Sequence, residues 1–455
     1  MFDTVLVANR GEIALRIVRT CRELGIRTVV VYAADDRDSA AVELADRAIS
    51  IGPASGRSYL NIPAVIEAAQ WSGADAVHPG YGFLSEVADF AEVCESHGLA
   101  FVGPSASVMR DLADKSSTKA LMREVGVPML PGSGDAVETA DEAKRVADRV
   151  GYPVIIKASA GGGGRGMRVV RSAGDIERAY QETRSNAWAF FRDSRVYLER
   201  YVEAARHVEV QVLCDGRGNG VALGERDCSV QRRHQKLVEE TPATCVDRAT
   251  AARMGEVAVE AALAVGYVGA GTFEFVVDED GDFHFIEINC RLQVEHPVTE
   301  MVTGVDLVRE QLRVASGEPL SMRQSDVEFR GAAVECRVNA EDPERGFVPT
   351  PGTLREFRTP GGPFVRVDTH GYAGYRMPAS YDSLLAKTIA WGPDRAAALD
   401  RLRCRLGEFR IEGPGVCTTI GFLRDVLADP VFRGGRHTTS LIQDMTTSEQ
   451  TAAHS

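Results

Sequence analysis

The sequence has 455 residues, of which 44% are hydrophobic and 26% are charged, and this predicts a globular protein of two to four domains. A net charge of −13 opposes binding to nucleic acid or to anionic membranes, and the apolar runs are too short to cross a bilayer. The nine cysteines are scattered singly and the first residues form a strand pattern without a basic leader, so we expect reduced thiols and a cytoplasmic location.

Strand-like and helical patterns alternate over the first 112 residues. Thr4–Ala8 has the pattern of a strand, and apolar residues then recur at helical spacing from Ile13 to Leu24. Further strand-like runs, separated by helical segments, are Thr28–Tyr32, Ala48–Ile51, Asp75–His78 and Leu99–Val102. This alternation predicts a doubly wound α/β domain over residues 1–112.

The next region contains a run of glycines at the end of a strand. A predicted helix, Lys115–Val125, is followed by the strand-like Tyr152–Lys157, which leads directly into Ala-Ser-Ala-Gly-Gly-Gly-Gly-Arg-Gly. Consecutive glycines let backbone N–H groups turn toward an anion without Cβ clashes, and Lys157 can place a point charge on a phosphate. The run is neither a Walker A motif nor a Gly-x-Gly-x-x-Gly turn, so the residues alone leave open a nucleotide loop or a plain hairpin tip.

A densely charged segment follows, Glu225-Arg-Asp-Cys-Ser-Val-Gln-Arg-Arg-His-Gln-Lys. It carries too many charges to be a core segment, because most of them would lack partners. An exposed loop is the usual outcome for such a run. The alternative is that Lys236, Arg291 and Arg337 form a pocket for small anions.

Polar residues at period-2 spacing indicate a second candidate site. If residues 285–295 stay extended, one face carries Glu287, Asn289, Arg291, Gln293 and Glu295. The upstream run Gly271–Val277 and the turn Asp278–Asp282 predict a hairpin that brings Glu274 and Glu287 onto one surface. Two carboxylates and an amide oxygen suit Mg²⁺, whereas the solvated face of an edge hairpin accounts less well for the residues from Asn289 onward.

From about residue 326 the pattern becomes β-rich, with Pro/Gly turns, a predicted helix Arg395–Glu408 and a tail predicted to be disordered. We therefore expect three domains, at residues 1–112, 113–325 and 326–447, followed by a disordered tail at 448–455.

Seven segments, in order along the chain, resemble those of biotin carboxylases of the ATP-grasp superfamily. They begin at Ala8 (Ala-Asn-Arg-Gly-Glu-Ile-Ala), His78 (His-Pro-Gly-Tyr-Gly-Phe-Leu-Ser-Glu), Lys157, Glu225, Gly271 (Gly-Thr-Phe-Glu-Phe), Glu287 and Glu335 (Glu-Cys-Arg-Val-Asn-Ala-Glu-Asp-Pro). The resemblance implies an α/β fold with a doubly wound N-terminal domain, an ATP-grasp central domain and a β-rich C-terminal domain. It also implies a mobile glycine-rich lid at about residues 131–203.

The resemblance also implies the roles of individual residues. Contacts with ATP are implied for Lys115, Lys157, Gly163, Gly164, Glu199, Arg200, Tyr201, Val202, His207, Gln231 and His234. Magnesium ligands are implied at Glu274, Glu287 and Asn289. A bicarbonate site is implied at Lys236, Arg291, Gln293, Val294 and Glu295, and contact with the biotin ureido group at Arg337.

The implied reaction uses ATP, Mg²⁺ (or Mn²⁺ in its place) and biotin carried on another protein. Glu295 would deprotonate bicarbonate, carboxyphosphate would form, and Arg337 would stabilise enolised biotin. The sequence contains no Ala-Met-Lys-Met-type biotinylation motif, so the carrier protein and the carboxyltransferase are expected as separate chains. A homodimer with no nucleic-acid or membrane partner is expected.

Three departures from the family pattern stand out: Ala160 in place of a glycine, Val87 in place of an asparagine, and an altered turn at Gly413–Thr419. Two other functions compete with this interpretation. Another ATP-grasp ligase would share Lys157 but not Glu295 and Arg337 in their present contexts. An inactive scaffold would have lost some of the metal or bicarbonate residues, and none is lost. The sequence does not identify the final acceptor, an acyl-CoA or a 2-oxo acid.

Overall fold

The computed structural model describes residues 1–160 and 166–453, with side chains up to residue 447. Its first unit is a five-stranded parallel sheet in the order β3-β2-β1-β4-β5 with helices on both faces, and the predicted doubly wound domain is confirmed. Its elements are β1 Thr4–Val7, α1 Gly11–Glu23, β2 Arg27–Ala33, α2 Ala40–Leu44, β3 Arg47–Gly52, α3 Ile62–Ser72, β4 Ala76–His78, α4 Ala88–Ser96, β5 Ala100–Phe101 and α5 Ala106–Ala113.

The strand order of this sheet reverses between β1 and β4, and the loops after these two strands meet there. Asn9 follows β1, and its side-chain amide donates to the carbonyl oxygens of Pro79 (2.6 Å) and Tyr81 (2.7 Å), which follow β4. Such a crevice at the carboxyl ends of parallel strands is where α/β proteins bind ligands. The contact therefore fixes the loop that carries Tyr81 against the rest of the molecule.

A small antiparallel unit in the order β7-β6-β8 lies within residues 131–203, the segment we call the lid. The helix α6, Lys115–Glu124, leads into it, and the lid then contains α7 Ala140–Val150, β6 Val154–Ala158, β7 Met167–Val170, α8 Ile176–Phe191 and β8 Val196–Arg200. Apolar side chains from both helices and all three strands form a core of their own, which includes Val146, Ile156 and Tyr180. The lid is therefore packed as a separate body.

The largest sheet has eight antiparallel strands in the order β13-β12-β9-β10-β11-β14-β19-β18. Its first part comprises β9 Arg206–Cys214, β10 Gly220–Arg232, β11 Gln235–Thr241, α9 Arg248–Ala264, β12 Gly269–Val277, β13 Phe283–Asn289, α10 His296–Thr303 and α11 Leu307–Ala315. Pairing of β11 with β14 carries the sheet across residue 325, so the predicted second and third domains share one sheet.

The remaining chain completes this sheet, and its last helices pack against apolar side chains of the sheet strands. Its elements are β14 Ala332–Asn339, β15 Glu341–Asp342, β16 Val348–Pro349, β17 Glu356–Arg358, β18 Val365–Thr369, β19 Leu384–Gly392, α12 Arg395–Leu406, β20 Arg410–Glu412, α13 Ile420–Val426, α14 Pro430–Arg433 and α15 Leu441–Ala453. No helix in the described part of the chain is long and apolar enough to span a membrane.

Two sequence-based expectations differ from the structure. The tail predicted to be disordered continues as helix α15 to Ala453, because Leu441 and Ile442 are buried and anchor its first turn. The extended run predicted over residues 285–295 ends at Asn289, and helix α10 begins at His296. The Pro297 ring, which lies in the first turn of that helix, has a fixed φ that favours a helix start over a continued strand.

Candidate active site

Four neighbouring strands place charged side chains in one row across the large sheet. Cα pairing sets Glu287 on β13 opposite Glu274 on β12, Glu274 opposite Glu209 on β9, and Glu209 opposite Arg226 on β10. Directly paired residues point to the same face of a sheet, so these four side chains line one surface. The predicted meeting of Glu274 and Glu287 on a hairpin is therefore present, and Glu209 and Arg226 extend it.

Lys236 lies at the centre of this surface, on β11. Its ammonium donates to carboxylate oxygens of Glu209 (2.5 Å), Glu274 (3.1 Å) and Glu295 (2.6 Å). Burial disfavours the charged ammonium, but the acidic groups around it outweigh burial and raise the pKa of Lys236 well above its usual value. The lysine therefore stays charged and joins the row of glutamates to the loop before α10.

Glu295, at the start of α10, is 1% exposed and is held from two sides. One oxygen accepts from Lys236, and the other accepts from Nη2 of Arg337 at 2.9 Å. Burial raises the pKa of Glu295, but Lys236, Arg337 and Arg226 reverse that effect and bring it well below its usual value. Glu295 is therefore ionised here, which is the form that a general base needs.

The three predicted metal ligands lie together. The Asn289 amide donates to Glu274 at 2.8 Å, and Glu287 pairs with the ammonium of Lys115. His207 Nε2 lies 3.0 Å from Glu274, and although burial lowers the pKa of His207, this carboxylate raises it overall. In the described residues, ligand atoms of His207, Glu209 and Glu274 also converge within 4.8 Å, but the Lys236 ammonium bonds both of these carboxylates.

Residues predicted to contact ATP lie on the lid and along the adjoining strands. Lys157 donates to Glu199 at 2.8 Å, and Lys119 pairs with the same carboxylate. Burial raises the pKa of Glu199, but these two lysines overcome it and lower the pKa to about 2. Arg200 is exposed, whereas Tyr201, whose backbone N–H donates to the Pro153 carbonyl at 3.0 Å, and Val202 are half-buried.

The hairpin of β10 and β11 contributes two further predicted residues. Gln231 is half-buried and pairs with Lys236 across the hairpin, and His234 occupies its exposed turn. Burial and the nearby charges of His207 and Lys157 lower the pKa of His234. Gly163 and Gly164 lie outside the described residues.

The loop between β13 and α10 holds the remaining bicarbonate-site residues. Arg291 donates to the side-chain oxygen of Gln293 at 3.0 Å and, through Nε, to Glu86 at 2.9 Å. The Val294 carbonyl accepts from the buried Lys387 at 2.9 Å. The prediction of a shared strand face for these residues is wrong, since the strand ends at Asn289. A turned loop held by Glu86 and Lys387 brings Gln293 and Glu295 to the site instead.

Arg337 lies on β14, next to the site, between two buried carboxylates. Its Nε donates to Glu239 at 2.6 Å and its Nη2 to Glu295 at 2.9 Å. Burial disfavours the charged guanidinium, but these carboxylates more than compensate and raise its pKa. Arg337, which is about 16% exposed, is thereby fixed in orientation with part of its side chain open to the site.

Several residues of the site were not predicted from the sequence. They are Glu86, Lys119, Glu209, Arg226 and Glu239. The sequence does contain a signal for Glu209. Apolar and polar residues alternate along β9, which is typical of a strand with one polar face: Val208, Glu209, Val210, Gln211 and Val212. The other four take part through contacts with distant segments, which the local pattern does not reveal.

Comparison with known proteins covers almost the whole chain. Residues 1–109 match "Biotin carboxylase, N-terminal domain", residues 114–323 match "Carbamoyl-phosphate synthase L chain, ATP binding domain", and residues 335–444 match "Biotin carboxylase C-terminal domain". The biotin carboxylase of Nostoc sp. is 52% identical over 445 residues, which cover 98% of this chain and 99% of that protein.

Two solved structures have nearly the same fold. The biotin carboxylase of Campylobacter jejuni, in a complex with a βγ-ATP compound, superposes with a TM-score of 0.95 at 46% identity and covers 98% of this chain and 99% of its own. The second is the biotin carboxylase domain dimer of the Hydrogenobacter thermophilus 2-oxoglutarate carboxylase, solved with MgADP, ADP and bicarbonate. It superposes with a TM-score of 0.93 at 46% identity, and the match covers 98% of both chains. The three-domain fold expected from the sequence is confirmed.

Proposed function

The chain belongs to the biotin carboxylase family and is an ATP-dependent ligase that carboxylates biotin, and we propose that the site around Lys236 performs this reaction with bicarbonate. The observation that supports this location is the set of contacts made by Lys236 and Arg337. Lys236 bonds Glu274 on one side and Glu295 on the other, and Arg337 holds the second oxygen of Glu295. Lys236 and Arg337, which share Glu295, would thus connect three adjoining subsites, for nucleotide, bicarbonate and biotin.

The nucleotide subsite is assigned to the residues where lid and sheet face each other. Lys115 and Lys157 carry the positive charge that a polyphosphate requires. We assign Glu199 to Val202, His207, Gln231 and His234 to the same subsite, and with them Gly163 and Gly164, which lie outside the described residues. In the present structure Lys115 and Lys157 neutralise Glu287 and Glu199, so ATP would exchange these partners for phosphate oxygens. These lysines are therefore already paired with carboxylates before ATP enters.

Magnesium, or Mn²⁺ in its place, is assigned to Glu274, Glu287 and Asn289. The donor set fits, because Glu274 and Glu287 are directly paired across the hairpin and the Asn289 amide already touches Glu274. The bound cation would neutralise charge on the polyphosphate oxygens. Lys115, which now pairs with Glu287, supplies a positive charge beside these ligands.

The first chemical step is assigned to Glu295, with Lys236, Arg291, Gln293 and Val294 holding bicarbonate. Glu295 takes the proton of the bicarbonate hydroxyl, and a bicarbonate oxygen then bonds to the γ-phosphorus as the bond to ADP breaks, which gives carboxyphosphate. Bicarbonate competes with Glu295 for the charge of Lys236. Its binding therefore raises the proton affinity of Glu295 at the step that requires it.

Arg337 is assigned to biotin. Carboxyphosphate breaks down to CO₂ and phosphate, phosphate accepts the N1′ proton of biotin, and N1′ bonds to CO₂. The negative charge that develops on the ureido oxygen would be met by Arg337, which Glu239 and Glu295 hold in a fixed orientation. Closure of the lid would exclude the water that otherwise hydrolyses carboxyphosphate.

Biotin is proposed to arrive on a separate carrier protein and to be carboxylated here, which is the first half-reaction of an acetyl-CoA or other acyl-CoA carboxylase, as in fatty acid biosynthesis. A separate carboxyltransferase would then pass the carboxyl group to the final acceptor. We extend to this chain the homodimer of the 2-oxoglutarate carboxylase domain. Nine free cysteines fit a reducing compartment such as the cytoplasm. We also propose the domain limits expected from the sequence, which are 1–112, 113–325 and 326–447.

The test is ATP cleavage measured with the purified chain. We expect cleavage to require magnesium and bicarbonate and to increase when free biotin is added, with carboxybiotin as a product. ATP cleavage that proceeds without bicarbonate and joins an amine to a carboxylate would refute the proposal.

A further inference from the structure

Two buried carboxyl groups lie behind Arg337, and neither takes part in a bond-making or proton-transfer step of the proposed reaction. Glu239 on β11 and Glu335 on β14 are paired across these strands, and both are 0% exposed. Among the described residues, neither carboxylate oxygen of Glu335 has a hydrogen-bond partner, and Glu239 Oε2 has none either. A buried carboxylate without partners is costly, so this arrangement calls for an explanation.

The charges that face this pair come from every element packed around it. Arg337 on β14 bonds Glu239, Lys236 lies on β11, and Glu295 and the neutral His296 lie at the start of α10. Lys387 on β19 pairs with Arg337 in the sheet register, but its ammonium bonds the Val294 carbonyl and Glu12. The only cation bonded to the pair in the described structure is therefore the Arg337 guanidinium.

Two carboxylates so close together and so deeply buried do not both ionise beside one bonded cation. Burial raises the pKa of Glu239 to about 7, with the charge of Glu295 adding to this and Arg337 opposing it. Burial also raises the pKa of Glu335 well above its usual value, although the charge of Lys387 opposes this, and Glu239 raises it further. The hydrogen bond to Arg337 therefore decides which carboxyl group carries the negative charge.

We propose that Glu239 and Glu335 share a single negative charge, with the proton on Glu335, and that ionised Glu239 is a positioning residue that keeps Arg337 in place when Glu295 becomes protonated. This inference rests on the proposed function. Glu295 loses its charge when it takes the bicarbonate proton, and Arg337 then has Glu239 as its remaining bonded counter-ion. If Glu239 were protonated at that moment, the buried guanidinium would be unpaired and free to turn away from biotin.

The sign of the pH dependence follows from this role. Below the pKa of Glu239 the carboxyl group is protonated and does not act as a counter-ion, so biotin carboxylation falls as the pH drops through about 7. The wild-type chain should show this acidic limb in the ratio of carboxybiotin formed to ATP cleaved. In Glu239→Gln the limb should disappear, and above about pH 7 the ratio should be at least about tenfold lower than in the wild type, because an amide does not carry the charge.

Two further variants identify the proton's location. Glu335→Gln replaces a neutral acid by a neutral amide of the same shape, so the limb near pH 7 should remain. Glu240→Gln is the matched control, since Glu240 is the next residue on β11, buried, and bonded to Arg395 away from the site. It should lower the melting temperature and keep the limb. An acidic limb that persists in Glu239→Gln, or one that is lost in Glu335→Gln, would overturn the proposal.

A readout that does not depend on activity separates this inference from the proposed function. At about pH 8 the infrared spectrum should contain the C=O band of a protonated carboxylic acid in the wild type and in Glu240→Gln. The band should be lost in Glu335→Gln. A wild-type chain without this band would overturn the shared charge even if bicarbonate-dependent ATP cleavage is present. The band together with no such cleavage would refute the proposed function alone.

Discussion

At the scale of single residues, the lysines of this site form ion pairs with glutamates before any substrate binds. Lys115 pairs with Glu287, Lys157 with Glu199, and Lys236 with Glu295. An unpaired charge in such a buried surface would be costly, so each carboxylate holds a cation until a substrate anion takes its place. Substrate binding is thus an exchange of counter-ions, and each exchange changes the proton affinity of the carboxylate that is released.

Removing the charge of Glu287 should weaken the magnesium site without unfolding the chain. Glu287 is directly paired with Glu274, and its side chain is about one quarter exposed, so Glu287→Gln removes an anionic ligand from a solvent-accessible position. We expect the magnesium concentration for half-maximal turnover to rise by about tenfold or more. Glu279→Gln, in the exposed turn of the same hairpin, is the control. Wild-type magnesium dependence in Glu287→Gln would contradict the assignment.

Glu295 and Arg337 should fail in different ways although they bond each other. Glu295→Ala removes the base, so both ATP cleavage and carboxybiotin formation should fall by about 100-fold or more. Arg337→Ala should lower carboxybiotin formation far more than ATP cleavage, because carboxyphosphate still forms and is lost to water. The measurement is the ratio of carboxybiotin to cleaved ATP, with the melting temperature of each variant. Equal ratios with equally lowered melting temperatures would mean that the pair is only structural.

The sequence predicts some of these residues and not others for a physical reason. Glu274 and Glu287 are joined by a short turn, so period-2 alternation and the Asp/Gly-rich segment between them were enough to predict that they meet. Glu239 and Arg337 are almost 100 residues apart, and only the pairing of β11 with β14 brings them together. The local pattern contains no information about that pairing.

At the scale of elements, the lid is the part of the molecule whose packing is most independent. Its helices and strands bury their apolar side chains in their own core. Polar contacts connect the lid to the rest of the chain, chiefly the pairing of Glu199 with Lys119 on α6 and the pairing of Arg195 with Asp114, the residue before that helix. A body with its own core can move as a unit, because moving it breaks few apolar contacts.

Nucleotide should therefore protect the lid as a unit. We expect amide hydrogen exchange in β6 and β8 to slow by about tenfold or more with saturating ATP and magnesium, because the ligand binds the closed arrangement preferentially. Exchange in β2 of the N-terminal sheet is the internal control and should not change. Equal exchange rates in β6 and β8 with and without nucleotide would contradict lid closure.

Element boundaries were predicted best where the sequence contains a residue that ends a helix or strand. Helix α1 ends at Glu23, just before Gly25, whose φ of +72° is the left-handed conformation that ends helices. The tail is polar, and this composition predicts disorder, whereas helix α15 continues to Ala453. The first residues of that helix, Leu441 and Ile442, are buried in a core shared with strands of the large sheet, and this contact is not visible in the local sequence.

At the scale of the whole molecule, the bicarbonate loop is held where all three parts of the chain meet. Lys387, on β19 of the C-terminal part, is 0% exposed and bonds both the Val294 carbonyl and Glu12 of the N-terminal helix α1. Tyr81, which follows β4, donates its hydroxyl to the same carboxylate of Glu12. Stability and site geometry are therefore coupled through one buried ammonium.

Breaking this connection should destabilise the entire chain. Lys387→Met leaves Glu12 buried without its cation, and we expect a loss of about 3–5 kcal/mol in the free energy of unfolding. The double variant Lys387→Met with Glu12→Gln should lose clearly less than the sum of the two single variants, because no charge is then left unpaired. Bicarbonate affinity should fall in both chains that carry Lys387→Met, since the Val294 carbonyl loses its donor.

The control for this prediction is an ion pair of the same type at the surface. Arg358 pairs with Glu356 on the short strand β17, and both side chains are largely exposed, so Arg358→Ala should cost less than about 1 kcal/mol. Denaturant unfolding of the four variants and the wild type gives the comparison. If the losses in Lys387→Met and Glu12→Gln simply add in the double variant, the two groups are not coupled. The bicarbonate loop would then be held by Glu86 and its own turn, and the three parts of the chain would contribute to the site independently.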